Sequence, residues 1–384
     1  MLFARSFPPG FNLGRAGIQG KVSASLRHGE GIKRGKSVFK ISIITGTFSL
    51  RWAVILRLVF FSLLFYPAQV RASENSAGHS GKPSNGLIAF AEAPVSQPSS
   101  EAIQSAHIYT VTPDGRNRRQ VTQGPAGNFL PAWSPDGKRL AFVSVRNQPP
   151  EIWTVDPDGK NERRITWGLI PAWSPDGKML AFVRPEAEGR TQIWTIRVDG
   201  TQERKLTTKG FNNVPSWSPQ GDKICYWSGD HRGFGQIWVM NSDGTQPSQL
   251  TRAEKNGYTP RGSSANAAAW LFNDRIVYWA GIEHRYGQIW AMNSDGSDQR
   301  ELTHEPAPAS SDNPTWSPDG KKILFDTQRR NRPEVWVMDA DGSNPHVVLS
   351  DLKVMPMRTS WQPIYAPEGG SGTTGPVRQV KARR

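Results

Sequence analysis

The chain has 384 residues and a formal net charge of +14, from 47 Lys and Arg against 33 Asp and Glu. Eleven of the basic residues and one acidic residue lie in the first 72 positions. The rest of the chain is nearly balanced in charge, which argues against a nucleic-acid-binding domain. A single cysteine, Cys225, excludes an intramolecular disulfide.

The first 72 residues predict a signal peptide or another N-terminal leader. An apolar stretch from Ala53 to Tyr66 follows a long basic run, and Ala72 provides a small residue for cleavage. This stretch is shorter than the roughly 20 residues that span a bilayer, so membrane contact is expected only through an uncleaved leader. We expect a periplasmic or secreted protein, with residues 73–86 as a linker ahead of the folded domain.

Residues 87–365 contain a repeat whose marker is a tryptophan followed by a turn. In its clearest copy Trp133 opens a short strand, and the turn Ser134-Pro135-Asp136-Gly137 follows. Four β-length segments in each unit, at a period of roughly 40–50 residues, predict a four-stranded propeller blade. The tryptophans at this position are Trp133, Trp173, Trp217, Trp270, Trp316 and Trp361.

A second marker sets the number of blades. An aliphatic-aromatic pair ahead of an Asp-Gly hairpin turn occurs six times, which predicts six blades. These pairs are Ile108-Tyr109, Ile152-Trp153, Ile193-Trp194, Ile237-Trp238, Ile289-Trp290 and Val335-Trp336.

The two ends of the repeat array complement each other. The first blade has no tryptophan strand of its own, whereas the Trp361 strand stands alone at the far end. Pairing the two removes two open sheet edges. The sequence therefore predicts an all-β, six-bladed β-propeller, closed by a C-terminal strand at 359–363 that completes blade one. Residues 366–384 are expected to be a disordered tail.

The Trp-Ser-Pro-Asp-Gly turn, the Ile-Trp hairpin and the Leu-Thr ending, as in Leu206-Thr207, together resemble the WD40-like repeat of TolB. The resemblance covers about 87–363. It implies a protein-interaction role, because the TolB propeller binds a peptidoglycan-associated lipoprotein in the Tol-Pal envelope system. TolB has an α/β domain ahead of its propeller, and here only 73–86 are expected between the leader and the first strand.

Motifs for catalysis are missing from the sequence. It has no Gly-x-Ser-x-Gly, no His-Glu-x-x-His, no phosphate-binding glycine loop and no cysteine pair. The repeated tryptophans have the period of packing residues, and only Trp167 and Trp227 fall outside it as candidates for stacking on a ligand. We therefore expect no enzyme activity, no cofactor and no nucleic-acid partner.

The predicted binding surface is the loop face, built by the loops between second and third strands and by the connections between blades. These segments differ in length, for example 146–150, 184–190 and 252–269, and variable loops on a rigid repeat carry binding. Their cationic side chains suit an acidic partner, here an envelope protein or lipoprotein. The candidate binding residues are Arg146, Arg190, His231, Arg232, His284, Arg285 and Arg330.

An alternative function uses two of these residues. His231 and His284 occupy comparable places in neighbouring blades, and two such histidines can converge on a metal ion. That arrangement would suit a carbohydrate-active enzyme or a lectin with a metal near the central channel.

Overall fold

The computed structural model describes residues 84–93, 104–230, 235–252, 263–270, 274–282, 285–305, 309–329, 332–350, 352 and 359–365. These residues form six four-stranded antiparallel sheets arranged as the blades of a ring. The predicted six-bladed β-propeller is confirmed. One short 3-10 helix, Ala187–Gly189, interrupts the described strands.

The strands follow one another in chain order from the inside of each blade outward, except in blade 1, whose inner strand is the last in the sequence. Blade 1 consists of β24 (Thr359–Ile364), β1 (Ser84–Glu92), β2 (His107–Val111) and β3 (Arg119–Gln120). Blade 2 consists of β4 (Asn128–Trp133), β5 (Leu140–Ser144), β6 (Glu151–Val155) and β7 (Arg163–Trp167). Blade 3 consists of β8 (Leu169–Trp173), β9 (Met179–Pro185), β10 (Thr191–Arg197) and β11 (Arg204–Lys205). Blade 4 consists of β12 (Phe211–Trp217), β13 (Lys223–Gly229), β14 (Gly235–Asn241) and β15 (Ser248–Gln249). Blade 5 consists of β16 (Ser263–Trp270), β17 (Arg275–Ile282), β18 (Arg285–Asn293) and β19 (Arg300–Glu301). Blade 6 consists of β20 (Ser311–Trp316), β21 (Lys322–Arg329), β22 (Arg332–Asp339) and β23 (His346–Leu349).

The ring closes by non-covalent pairing of β24 with β1, as the sequence predicts. Trp361 lies opposite Ile88 in the antiparallel register, and its indole Nε1 donates to the Gly86 carbonyl at 3.1 Å. The Gln362 amide donates to the Gly137 carbonyl at 2.7 Å and thereby ties the C-terminal strand to blade 2 as well. Two sheet edges are removed by this one strand.

The turn after the inner strand owes its conformation to side-chain hydrogen bonds in blades 2, 3, 4 and 6. The Ser134 hydroxyl donates to the Asp136 carboxylate at 2.5 Å and accepts from the Arg139 backbone N–H at 2.9 Å. Gly137 has φ +70°, and a Cβ there would lie 2.1 Å from the Pro363 carbonyl oxygen. The position therefore requires glycine both for its conformation and for the close approach of β24.

The Leu-Thr ending of the repeat also has a structural reason. Its threonine hydroxyl accepts the backbone N–H of the isoleucine in the third strand of the same blade, at 2.9 Å in four blades. A buried N–H without such an acceptor would lose about 1–3 kcal/mol, which explains why threonine recurs here. The four threonines are Thr122, Thr207, Thr251 and Thr303.

The repeated tryptophans are buried between blades, with exposed fractions of 1–7%. The indoles of Trp173 and Trp217 donate to backbone carbonyls of the preceding blade, those of Ala132 and Ala172. The prediction that Trp133 opens a strand is wrong, because Trp133 ends β4. In blades 2 to 6 the inner strand extends several residues before the tryptophan and contains a bulge, which the turn-centred sequence pattern hides.

The predicted connection at 252–269 is also shorter than expected. Residues from Ser263 onward form β16, the inner strand of blade 5. Its sequence, SSANAAAW, is rich in alanine and serine, and alanine is depleted in strands, so the segment has little strand signal of its own. Pairing with β17 determines its conformation.

Candidate functional site on the loop face

Each blade presents its hairpin turns on one side of the ring and its longer connections on the other. The turn after the inner strand and the third-to-fourth-strand hairpin meet directly, since the Val198 N–H donates to the Lys178 carbonyl at 3.0 Å. We call this side the hairpin face. The opposite side, the loop face, has the connections 145–150 and 186–190 and the blade-to-blade segments 168 and 206–210 among the described residues.

Arg146 lies on the loop face and is already engaged within blade 2. Its guanidinium donates to the Ser144 hydroxyl at 2.8 Å and to the Glu162 carboxylate at 2.7 Å. The guanidinium carbon also lies 4.1 Å from the centre of the Trp153 ring. Stacking, pairing and hydrogen bonding together hold this side chain against the blade.

Arg184 makes a more complete set of contacts, although it was not among the predicted binding residues. It is 5% exposed, and its guanidinium lies between Trp167 at 4.1 Å and Trp194 at 4.5 Å. The same group donates to both oxygens of Glu203, at 2.6 and 3.1 Å, and holds the pKa of that carboxyl below its usual value. Trp167 is thus covered by an arginine.

The second tryptophan outside the repeat, Trp227, is 7% exposed and packs against Gly235, where a Cβ would lie 2.3 Å from its ring. The Trp227 ring is therefore not open to a ligand in the way a stacking platform requires. Trp167 is half-buried, with Arg184 against its ring. Both have packing roles that the local sequence does not reveal.

Arg190 is the other predicted binding residue whose side chain is described. It follows the 3-10 helix, pairs with Glu188 and is 45% exposed. Nearby, Lys205 pairs with Glu186 at 2.5 Å. The described part of this surface therefore presents paired charges, and Arg190 is half open to solvent.

His231, Arg232, His284 and Arg330 lie outside the described residues. Arg285 begins β18, and its side chain is outside the description. The predicted convergence of His231 with His284 stays a prediction. Within the described part of the chain, no three His, Cys, Asp or Glu side chains are grouped as metal ligands.

The hairpin face has a cleft that the sequence did not predict. It has a volume of about 470 Å³ and lies between blades 3 and 4. Asp176, Arg204 and Asp243 provide its charged walls, and the edge of the buried Trp217 also lines it. The cleft makes this face a competing location for a binding site.

Blade 6 contains two buried carboxylates that are direct cross-strand neighbours, Asp312 on β20 and Asp326 on β21. Asp312 is 5% exposed and Asp326 is fully buried. Burial raises the pKa of Asp312 to about 8. Burial also raises the pKa of Asp326, and the charge of Asp312 adds to that increase, although a hydrogen bond from Asn313 opposes it. The sequence feature that could have indicated this buried pair is an Asp within a segment of alternating strand residues.

Among the described residues no helix has the length and apolar character needed to cross a membrane.

These features define a six-bladed propeller with WD40-like repeats. Within that class the chain has a TolB-like propeller, since residues 168–278 match the family model described as the TolB beta propeller domain, PD40. The resemblance seen in the sequence is confirmed.

Solved structures agree on the fold. TolB from Acinetobacter baumannii superposes with a TM-score of 0.61 at 22% identity, covering 75% of this chain and 69% of that one. A protein from Agrobacterium tumefaciens assigned as TolB gives a TM-score of 0.55 at 20% identity, covering 74% and 99%. At these identities the likeness concerns the fold alone.

An uncharacterized protein of Agrobacterium fabrum is 34% identical to this chain over 117 residues. The match covers 29% of this chain and 38% of that relative's length.

Proposed function

We propose that this protein is a non-catalytic, extracytoplasmic interaction scaffold that binds an envelope protein or lipoprotein of the peptidoglycan-associated type. The observation that carries the proposal is the TolB beta propeller match at 168–278 within a complete ring of six blades. The TolB-like propeller fold supports a protein-interaction role. The resemblance to TolB supports membership of the Tol-Pal system, and the leader sequence supports an extracytoplasmic setting.

The loop face is the proposed partner surface. Its connections differ between blades, while the contacts of Arg146 and Arg184 hold the neighbouring strands in place. A rigid scaffold with individual loops loses little conformational entropy on binding. Arg190, half exposed beside Glu188, is available at the rim of this surface. Arg232 and Arg285 extend the proposed cationic surface by their position in the sequence.

A charge-reversal pair tests this proposal. We expect Arg232→Glu with Arg285→Glu to abolish capture of a purified peptidoglycan-associated lipoprotein by the exported chain, because an acidic partner then meets repulsion. The melting temperature should stay nearly constant, since exposed loop charges contribute about 0–1 kcal/mol to folding. Binding is measured by surface plasmon resonance at low and high salt.

Lys138→Glu with Lys178→Glu provides the matched control on the hairpin face. Lys178 lies beside the cleft residue Asp176, so this variant also probes the cleft. Wild-type affinity in the control and lost affinity in the loop-face variant would support the proposal. The reverse result would move the site to the hairpin face, and no binding by the wild-type chain would refute the proposed partner.

A further inference from the structure

The closing seam is the interface between blade 6 and blade 1, where the last strand of the chain completes the first blade. One face of blade 6 packs here, because Leu324 of β21 belongs to the same hydrophobic core as Trp361 and Ile88 of blade 1. Leu324 is paired with Thr315, and Asp326 lies two residues further along the same strand face. Asp312 is the cross-strand partner of Asp326. The carboxylate pair therefore faces blade 1.

Blade 1 presents a matching polar group. Thr359 of β24 lies on the same strand face as Trp361, two residues away, and β24 packs against both β20 and β21. Its hydroxyl is fully buried and has no hydrogen-bond partner. The Thr315 hydroxyl on the blade 6 side is buried without a partner as well.

The unsatisfied atoms in this seam are mostly acceptors. One carboxylate oxygen of Asp312 and one of Asp326 lack partners, as does the amide oxygen of Asn313. The Asn313 side chain is 1% exposed and belongs to the cluster, because its Nδ2 donates to the other Asp326 oxygen at 2.9 Å. The second Asp312 oxygen accepts from the Ser310 hydroxyl at 2.9 Å.

The propeller does not need carboxylates at these positions. The equivalent cross-strand pair is Phe129 with Val143 in blade 2 and Leu169 with Val183 in blade 3. These pairs are buried. Blade 4 has Asn213 opposite Trp227 at the same place, so blades 2 to 4 have no carboxylate there. The acidic pair of blade 6 therefore places buried carboxyl oxygens where blades 2 and 3 have apolar side chains.

Two buried carboxylates cost several kcal/mol each unless an opposite charge compensates them. Among the described residues, no Lys, Arg or His side chain pairs with Asp312 or Asp326. Arg118 of blade 1 is paired with Glu92, the charged residue at the end of β1. Protons on the two carboxyls are the alternative compensation, and unlike a bound cation they are held more tightly as the pH falls.

We propose that the seam cluster of Asp312, Asn313, Thr315, Asp326 and Thr359 binds a hard divalent cation of the Ca²⁺ type, which locks the ring closed. Carboxylate, amide and hydroxyl oxygens are the ligands that Ca²⁺ takes, and the cluster has no sulfur or imidazole that would favour zinc. Ca²⁺ tolerates irregular geometry, whereas Mg²⁺ keeps several waters, which suits a dry interface less well.

Such a cation would connect the first and last strands of the array. Four of the ligands lie in blade 6, and Thr359 lies on β24, the strand that completes blade 1. Because the unfolded chain does not assemble this set of oxygens, Ca²⁺ binding adds directly to the stability of the closed ring.

The test uses chelator-treated full-length exported protein, titrated with CaCl₂ at pH 8 by isothermal calorimetry and differential scanning fluorimetry. At a Ca²⁺ concentration about 100-fold above its Kd, the melting temperature should rise by about 5–10 °C. MgCl₂ should give a much smaller rise. Asp326→Asn should lose most of the response, whereas the matched control Asp199→Asn, at an exposed hairpin turn, should keep it.

A second variant distinguishes loss of the cation site from a general failure to fold. Asp312→Leu with Asp326→Val installs the apolar pair of blade 3, so it should melt above the metal-free wild type and show no Ca²⁺ response. A wild-type melting temperature that does not respond to Ca²⁺ would overturn the cation site. If stability then increases only on acidification, the pair shares a proton instead. A Ca²⁺ response that survives in the Leu/Val variant would also overturn the assignment. Lipoprotein capture is scored separately, so failure here leaves the proposed function standing.

Discussion

Replacing single tryptophans with phenylalanine would isolate the hydrogen bond that closes the ring. Trp361 and Trp133 occupy equivalent places in β24 and β4, and they are 2% and 1% exposed. The Trp361 indole donates to the buried Gly86 carbonyl, whereas the Trp133 indole nitrogen has no partner. Trp361→Phe and Trp133→Phe therefore remove similar volumes, and they differ in one hydrogen bond between strands.

The magnitude follows from that difference. Loss of ring volume contributes to both variants and cancels in the comparison, while the Gly86 carbonyl left without its donor costs about 1–3 kcal/mol. We expect Trp361→Phe to be less stable than Trp133→Phe by that amount. With an m value of about 3 kcal/mol/M, the urea midpoints should differ by about 0.3–1 M.

Urea unfolding followed by far-ultraviolet circular dichroism is the assay, since the substitutions themselves alter tryptophan fluorescence. Equal midpoints, or a lower midpoint for Trp133→Phe, would refute the view that the indole of Trp361 helps to hold the ring closed. The m values must match for the comparison to report stability.

Two other outcomes are expected from the charged groups. Arg184→Lys should lower the free energy of unfolding by about 2–4 kcal/mol, because lysine can neither hold Glu203 with two donors nor stack between two rings. The control Arg190→Lys should change the free energy of unfolding by less than about 0.5 kcal/mol. Urea titration of both variants checks this, and equal losses would contradict it. In metal-free protein, stability should fall as pH rises from about 4 towards 8, because the raised pKa of Asp312 makes the folded chain hold more protons than the unfolded chain in that window. Urea unfolding at several pH values measures the change of unfolding free energy with pH. This pH dependence should disappear when Asp312 and Asp326 are replaced by Leu and Val. An unchanged pH dependence in that variant would exclude the pair as its source.

Much of the architecture could be predicted because its determinants are local and repeated. The Ser134-to-Gly137 turn is specified by its own hydroxyl, carboxylate and glycine, and the same solution recurs in other blades. The unpaired Trp361 strand at one end of the array was enough to predict ring closure. Strand limits were less accurate, as at β16, where pairing with β17 decides the conformation.

The candidate site was harder to predict because it depends on contacts between segments distant in the sequence. The sequence predicts that Arg146 is an exposed cation in a loop. In the structure its guanidinium lies over Trp153 and pairs with Glu162. A carboxylate such as Asp326 usually marks the solvent side of a strand. In this ring both faces of a blade are covered by neighbouring blades, so the usual inference from alternation does not hold.

The order of strands in blade 1 has a consequence for synthesis of the chain. β1 is made first among the described strands, but its inner neighbour β24 is made last. Blades 2 to 6 have all their strands once they have emerged from the ribosome. The inner edge of β1, in contrast, stays unpaired until β24 has been synthesised. During that interval the first blade exposes backbone donors and acceptors that any other extended chain can pair with. A nascent chain of this protein is therefore most vulnerable to misassembly at β1, the first described strand to be synthesised.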